Sequence, residues 1–195
     1  MALEEKMAAK YLEAMECFTR LKRNLAIFSA SYRIQNSLME YGLKEIVQNS
    51  GKRFFMETPG ISGESSRRIL EQFKMCAATA EKAVLCGPMG GRFAEGADYP
   101  GKELEGIFLA GIPFEKMGAR TRMYLDYYSM LYGKGTGRYL GYVVPALRRA
   151  SQALGRALRS AEDTAVFFLG DWRYGEETGR QFLNAKLFHW PLLLK

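Results

Sequence analysis

Five short apolar segments recur along this chain, and they constrain its fold more than anything else in it. They are NLAIFSASY (24–32), KRFFMET (52–58), KAVLCG (82–87), EGIFLAGIP (105–113) and TAVFFLGD (164–171). Each has the length of a strand, and none alternates cleanly between apolar and polar residues, so neither face is suited to water. Most of them are separated by stretches of helical periodicity. Strands that are apolar on both faces and joined through helices build a parallel sheet covered on both sides. The pattern therefore predicts an α/β domain of three layers, with a mainly parallel sheet flanked by helices. A chain of 195 residues, 48% of them hydrophobic, suits one such domain and forms its core without metal or disulfides.

Helical spacing marks 3–22, 33–49 and 117–132, and a helix capped by Ser65 runs to about Ala80. Residues 117–132 carry Tyr124, Tyr127 and Tyr128, which could stack on bases but at helical spacing read as core packing. GKGTG (133–137) reads as a loop before a helix near 142–159. There is no internal repeat and no clear linker. An N-terminal helix (1–23) is expected to pack on a domain spanning 24–175, with 176–195 as its tail. The lone His189 is expected to pack beside Trp190, with no metal-ligand set around it.

The formal charge of +7 fits either a polyanionic partner or a well-solvated surface. Cys17, Cys76 and Cys86 are scattered, which argues against a disulfide framework or a zinc or iron–sulfur site in this chain and for a reducing compartment. No apolar run reaches membrane-spanning length, and MALEEKMAAK lacks the apolar core of a signal peptide. The expected location is cytoplasmic, or nuclear in a eukaryote.

Parallel sheets bind ligands outside the carboxyl ends of their strands. The segments there are SASY, TPGISGE, GPMGGRFAEGADYPG, IPFEK and GDWRYG. One helix also stands out. With 142–159 drawn as one helix at 100° per residue, Arg149, Gln152, Arg156 and Arg159 share an arc of about 80°. Val143, Leu147, Ala150, Leu154 and Leu158 lie opposite. Gly155 falls mid-helix in this reading, where a missing side chain leaves room for another backbone or a ligand. A solvated basic face is one explanation of the stripe. Guanidinium forks that grip phosphate oxygens are the other.

Gln152, Gly155, Arg156 and Arg159, followed by SAEDTAVFFLGDWRY, resemble motif VI of superfamily 2 helicases, in the form found in the XPD/DinG family of DNA helicases. GRFAEGADYPG (91–101) resembles that family's motif V, and IFSASYRI (27–34) its motif IV. EGIFLAGIPF (105–114) is similar to the strand and turn between motifs V and VI. The matches keep the family's order across residues 24–175. Two departures are visible: Ala97 stands before Asp98 where the family often has a larger apolar residue, and the segment between IPFEK and motif VI is short.

The resemblance implies a RecA-like fold, and specifically the second of two motor domains of a 5′→3′ DNA-repair-type helicase. It implies ATP and Mg²⁺ as cofactors, bound mainly by a first motor domain that carries the Walker A loop and the acid box. Neither motif occurs here, since Gly135 follows Lys134 in GKGTG. The isolated chain is therefore expected to be inactive, and its start fits a cut at the boundary between motors. The family's iron–sulfur domain belongs to the other half. By the same resemblance, Arg156 or Arg159 is the arginine finger, and the other binds phosphate or holds the finger. Gln152 faces the γ-phosphate or its attacking water. Asp98 contacts the ribose or ties to the motif VI arginines, while Glu95, Gly96 and Gly155 shape the nucleotide edge. Ser31, Tyr32, Gly91, Arg92 and Phe93 are the implied contacts to single-stranded DNA, following the backbone without reading sequence.

Two other readings compete. One is a non-enzymatic nucleic-acid or protein interaction module that keeps the fold, although such a module has no need of both arginines. The other is an unrelated α/β enzyme holding phosphate in the 88–101 loop. It would need its own general base, and no His or Cys constellation supplies one.

Overall fold

A computed structural model describes residues 3–176 of the chain. Five strands form one sheet in the order β2-β3-β1-β4-β5, and every pairing is parallel. They are β1 (Leu25–Ser29), β2 (Arg53–Met56), β3 (Ala83–Pro88), β4 (Gly106–Ala110) and β5 (Val166–Leu169). The three central strands are buried along their whole length. Their side chains alternate between two cores, as strand geometry requires. Leu25, Ile27, Val84, Cys86 and Phe108 point into a core shared with α1 (Glu5–Thr19), α2 (Tyr32–Glu40) and α3 (Leu43–Asn49). Ala26, Phe28, Leu85, Ile107 and Leu109 point into a second core, with Phe73 of α4 (Gly63–Met75), Phe93 of α5 (Arg92–Glu95) and Leu147 and Leu154 of α8 (Val144–Leu154). The layering is the predicted three-layer α/β arrangement, and every strand falls within its predicted segment except β3, which runs one residue further, to Pro88.

Several boundaries differ from expectation, each for a local reason. The predicted helix over 33–49 breaks into α2 and α3 at Gly42, which adopts φ +103°. The helix expected to start at Ser65 is capped by Ser62, whose hydroxyl accepts from the Ser65 N–H at 3.1 Å. It ends at Met75 and continues only as a 3₁₀ turn, Cys76–Ala78. GKGTG is not a loop but a helical turn, α7 (Lys134–Arg138), in which the Gly137 N–H donates to the Gly133 carbonyl at 2.8 Å. A π-helical stretch, Tyr139–Val143, joins α7 to α8.

The tyrosine face of α6 (Ala119–Tyr132) is not core. Tyr124 is 45% exposed and Tyr127 54% exposed, with Met123 and Met130 more open still. The reason is that α6 packs on α7 and the π-helical stretch rather than on the sheet. Thr121 is the buried residue of α6, and Leu125, Tyr128 and the backbone of Ser129 lie against Gly137 and Gly141, so a hairpin of this kind buries a narrow stripe. His189 and the segment beyond 176 lie outside the described residues.

Candidate phosphate and nucleic-acid face

The carboxyl ends of the strands gather the segments that the sequence places there. After β3 the chain turns through Met89 to Gly91 into α5 and descends to Asp98. After α8 it tightens into a 3₁₀ turn, Gly155–Ala157, and Leu158 is already extended. The single helix drawn over 142–159 is thus wrong at its end. Gly155 closes the helix rather than lying in its middle, and among the described residues nothing lies within 4 Å of the position of its absent side chain. Arg159 lies beyond the helix, on a turn whose peptide groups are held by Asp163. The Arg159 and Ser160 N–H groups both donate to Asp163 Oδ2 at 2.7 Å. Those backbone bonds hold the Asp163 carboxyl below the usual range.

The turn brings Arg156 and Arg159 to the same acid. Arg159 Nη2 pairs with Asp98 Oδ1, and Arg156 Nη1 lies 3.5 Å from the same oxygen. Arg156 is fixed further by two backbone carbonyls, those of Ala97 at 3.2 Å and of Glu95. Its side chain is 21% exposed, that of Arg159 40% and that of Asp98 70%. Exposed pairs of this kind hold geometry weakly and are broken readily by a competing anion. Arg149, a third member of the stripe, lies 3.6 Å from Glu95 and 3.6 Å from Glu115. Gln152 is exposed and, with Glu95, Gly155, Arg156 and Arg159, lines an open depression of about 480 Å³. Gly96 ends α5, donating its N–H to the Arg92 carbonyl at 2.9 Å.

The residues expected on the nucleic-acid side divide. Ser31 is exposed and caps α2, with Ile34 N–H at 3.4 Å from its hydroxyl. Tyr32 is half-buried, and the Arg92 side chain is exposed near the start of α4. Phe93 is fully buried, so its ring belongs to the core beneath the turn and not to a ligand surface. Nor are the peptide groups of this turn free to meet a phosphate. Gly91 N–H donates to the Pro88 carbonyl at 2.9 Å, and the Arg92 and Phe93 N–H groups donate to the Glu57 carboxylate at 2.9 and 3.0 Å. Those expected backbone contacts are already taken from within.

Glu57 is the residue that sequence reasoning missed. It is a carboxylate 1% exposed, directly after β2. The available signal was a charged residue closing an apolar strand one position before TPGISGE, at the edge where ligands bind. At the carboxyl end of β5, the Asp171–Arg173–Tyr174 segment is held by its own bonds. Asp171 receives Arg173 Nε at 2.8 Å and Nη2 at 2.6 Å, and Tyr174 donates its hydroxyl to the Gly111 carbonyl at 2.9 Å from a fully buried ring.

The donor set suits phosphate, since two guanidiniums face one open depression with an amide beside them. A divalent cation fits less well. Asp98 is occupied by the arginines, and among the described residues no group of three or more His, Cys, Asp or Glu is placed to hold a metal. No helix among the described residues is long and apolar enough to cross a membrane.

Comparison with known proteins gives a consistent result. The sequence profile described as "Helicase C-terminal domain" matches residues 14–188. The chain is 25% identical over 170 residues to the ATP-dependent DNA helicase chl-1 of Caenorhabditis elegans, covering 85% of this chain and 20% of that protein. It is 28% identical over 130 residues to the general transcription and DNA repair factor IIH helicase subunit XPD of Schizosaccharomyces pombe, covering 66% of this chain and 16% of that one. A solved structure titled "XPD_Helicase" superposes with a TM-score of 0.72 at 19% identity, over 94% of this chain and 31% of that one. The superposition establishes the fold. The chain spans about a fifth or less of the length of these curated relatives.

Proposed function

Because the chain belongs to the helicase C-terminal domain family, we propose that it is the second motor domain of an ATP-dependent DNA helicase of the repair type, translocating 5′→3′. The observation that carries this reading is the convergence of Arg156 and Arg159 on Asp98 at the carboxyl edge of the sheet. A binding module has no use for two guanidiniums mounted on a turn that one exposed carboxylate holds in check.

When bound, ATP supplies the γ-phosphoryl group whose transfer to water drives the motor, with Mg²⁺ held mainly by the first motor domain. Phosphoryl transfer is catalysed by positioning and by stabilising spread negative charge. Arg159 suits the role of finger, because among the described residues Asp98 alone is seen to restrain its guanidinium and its side chain is the more open of the two. Arg156 suits the role of holder, because two carbonyls and Asp98 fix it against the motif V turn. Gln152, exposed on the same depression, would orient the attacking water. Ser31, Tyr32 and the Arg92 side chain offer contacts to the backbone of single-stranded DNA, and Glu95 and Gly96 join that edge to the arginines. Such a motor would work where DNA is kept: the cytoplasm of a prokaryote or the nucleus of a eukaryote.

The test is an ATPase assay of this chain alone and together with the first motor domain. Turnover is expected to be undetectable alone and restored by the second lobe. In the assembled motor, Arg159→Ala should cost roughly 10³–10⁵ in rate, the range seen for arginine fingers. Robust Mg²⁺-dependent hydrolysis by the pure chain would overturn the assignment.

A further inference from the structure

Glu57 touches neither the arginine depression nor open solvent, yet its carboxylate accepts three specific bonds from two separate segments. Its own N–H donates to the Cys86 carbonyl at 2.8 Å, so the sheet fixes its backbone. Its Oε1 accepts the Tyr32 hydroxyl at 2.7 Å and the Arg92 N–H at 2.9 Å, and its Oε2 accepts the Phe93 N–H at 3.0 Å. Its carbonyl accepts Gln35 Nε2 at 2.7 Å, which ties the same residue to α2 a second time. The room for this carboxylate is made by two glycines. A methyl group at Gly91 would lie 2.6 and 2.7 Å from its two oxygens, and one at Gly87 would lie 3.2 Å from Oε2.

The turn that Glu57 grips is very short. α5 has four residues, and at its far end the Glu95 and Ala97 carbonyls and Asp98 hold Arg156 and Arg159. One buried carboxylate thus joins Tyr32 on the DNA-facing side, through a single helical turn, to the arginines on the nucleotide-facing side. We infer that Glu57 is a positioning residue that locks the 91–98 turn to the start of α2, so that the two edges of the motor move as one body. The inference rests on the proposed reading of those two edges.

Three donors converge on Glu57, and a carboxylate accepts all of them. An amide cannot. Glu57→Gln would turn an N–H₂ group toward a tyrosine hydroxyl or a peptide N–H and leave a buried donor without a partner. Gly91→Ala would leave the carboxylate chemically intact and push it out of its seat. These two unrelated changes meet at the same atoms and should give the same result.

The experiment uses the full 195-residue chain. Amide exchange followed by mass spectrometry reads the turn, and fluorescence anisotropy with a labelled oligo(dT) at low salt reads the DNA edge. In both Glu57→Gln and Gly91→Ala, exchange over residues 92–98 should speed up about tenfold or more, while β1, β3 and β4 keep wild-type protection. Oligo(dT) affinity should fall in both, and in Tyr32→Phe. The double variant Glu57→Gln/Tyr32→Phe should bind no more weakly than Glu57→Gln alone, because both changes break one linkage. Unchanged exchange at 92–98, or a rise only in step with the whole sheet, overturns the inference. So do losses in affinity that multiply. If Glu57→Gln does not fold, Gly91→Ala decides. If the wild-type chain fails to bind oligo(dT), the DNA-edge reading fails while the exchange comparison still tests the lock.

Discussion

Asp163 shows how much of this face depends on single contacts. It holds the peptide groups of Arg159 and Ser160, so removing it should free the turn that aims the proposed finger. Asp163→Ala is expected to speed amide exchange at Arg159 and Ser160 with little change in melting temperature. The carboxyl is held below its usual range, so its contribution is present above the unfolded value of about 4 and is lost as pH falls through the folded value. The tyrosines set the opposite limit. Burial, and then the bond to Glu57, push Tyr32 up to about 12, and burial with Asp171 nearby pushes Tyr11 up to about 12. A raised phenol favours the neutral form in the folded state. Its contribution is complete below the unfolded value of about 10 and is lost as pH rises through about 12. Urea denaturation between pH 9 and pH 12 should show falling stability, with a shallower fall in Tyr32→Phe. Arg156, Arg159 and Asp98 were legible in the sequence because they sit in spaced motifs. Glu57 was not, because only the fold brings Tyr32, Arg92 and Phe93 around it.

Among the elements, the strands were read well and the helix ends poorly. Short apolar runs mark strands directly, and five strands lie on the five runs, the edge pair β2 and β5 only partly buried. Helix ends depend on caps and close approaches. Ser62 outcompetes Ser65 at the start of α4, and α8 unwinds at Gly155 where Asp163 can take up the freed peptide groups. The α6 face misled for a different reason. Helical spacing shows that side chains share a stripe but not what faces it, and here α7 rather than the sheet does. Gly137 is the contact that lets α6 and α7 close, for it lies against the backbone of Tyr128 and Ser129. Gly137→Ala should therefore destabilise the chain by about 1–3 kcal/mol through overpacking, as read by urea denaturation. An effect below about 0.5 kcal/mol, the range of neutral surface changes, would show that the hairpin is not held there.

For the whole molecule, the +7 charge and the exposed Arg92 on the DNA edge predict DNA binding that depends on salt. Oligo(dT) affinity should fall linearly on a log–log plot against salt concentration, with a slope near −0.7 per phosphate neutralised. Arg92→Ala should reduce that slope by roughly one contact. A slope near zero would leave the charge as surface solvation only. The sequence by itself determined the sheet, its layers and the family, because strand burial is written in local composition and the motifs in local spacing. The tertiary structure alone decided which side chains meet: that Arg156 and Arg159 share Asp98, that Phe93 is core, and that Glu57 closes the motif V turn. Those pairings join residues from roughly 35 to 60 positions apart, and no periodicity in a linear chain records contacts made across a sheet.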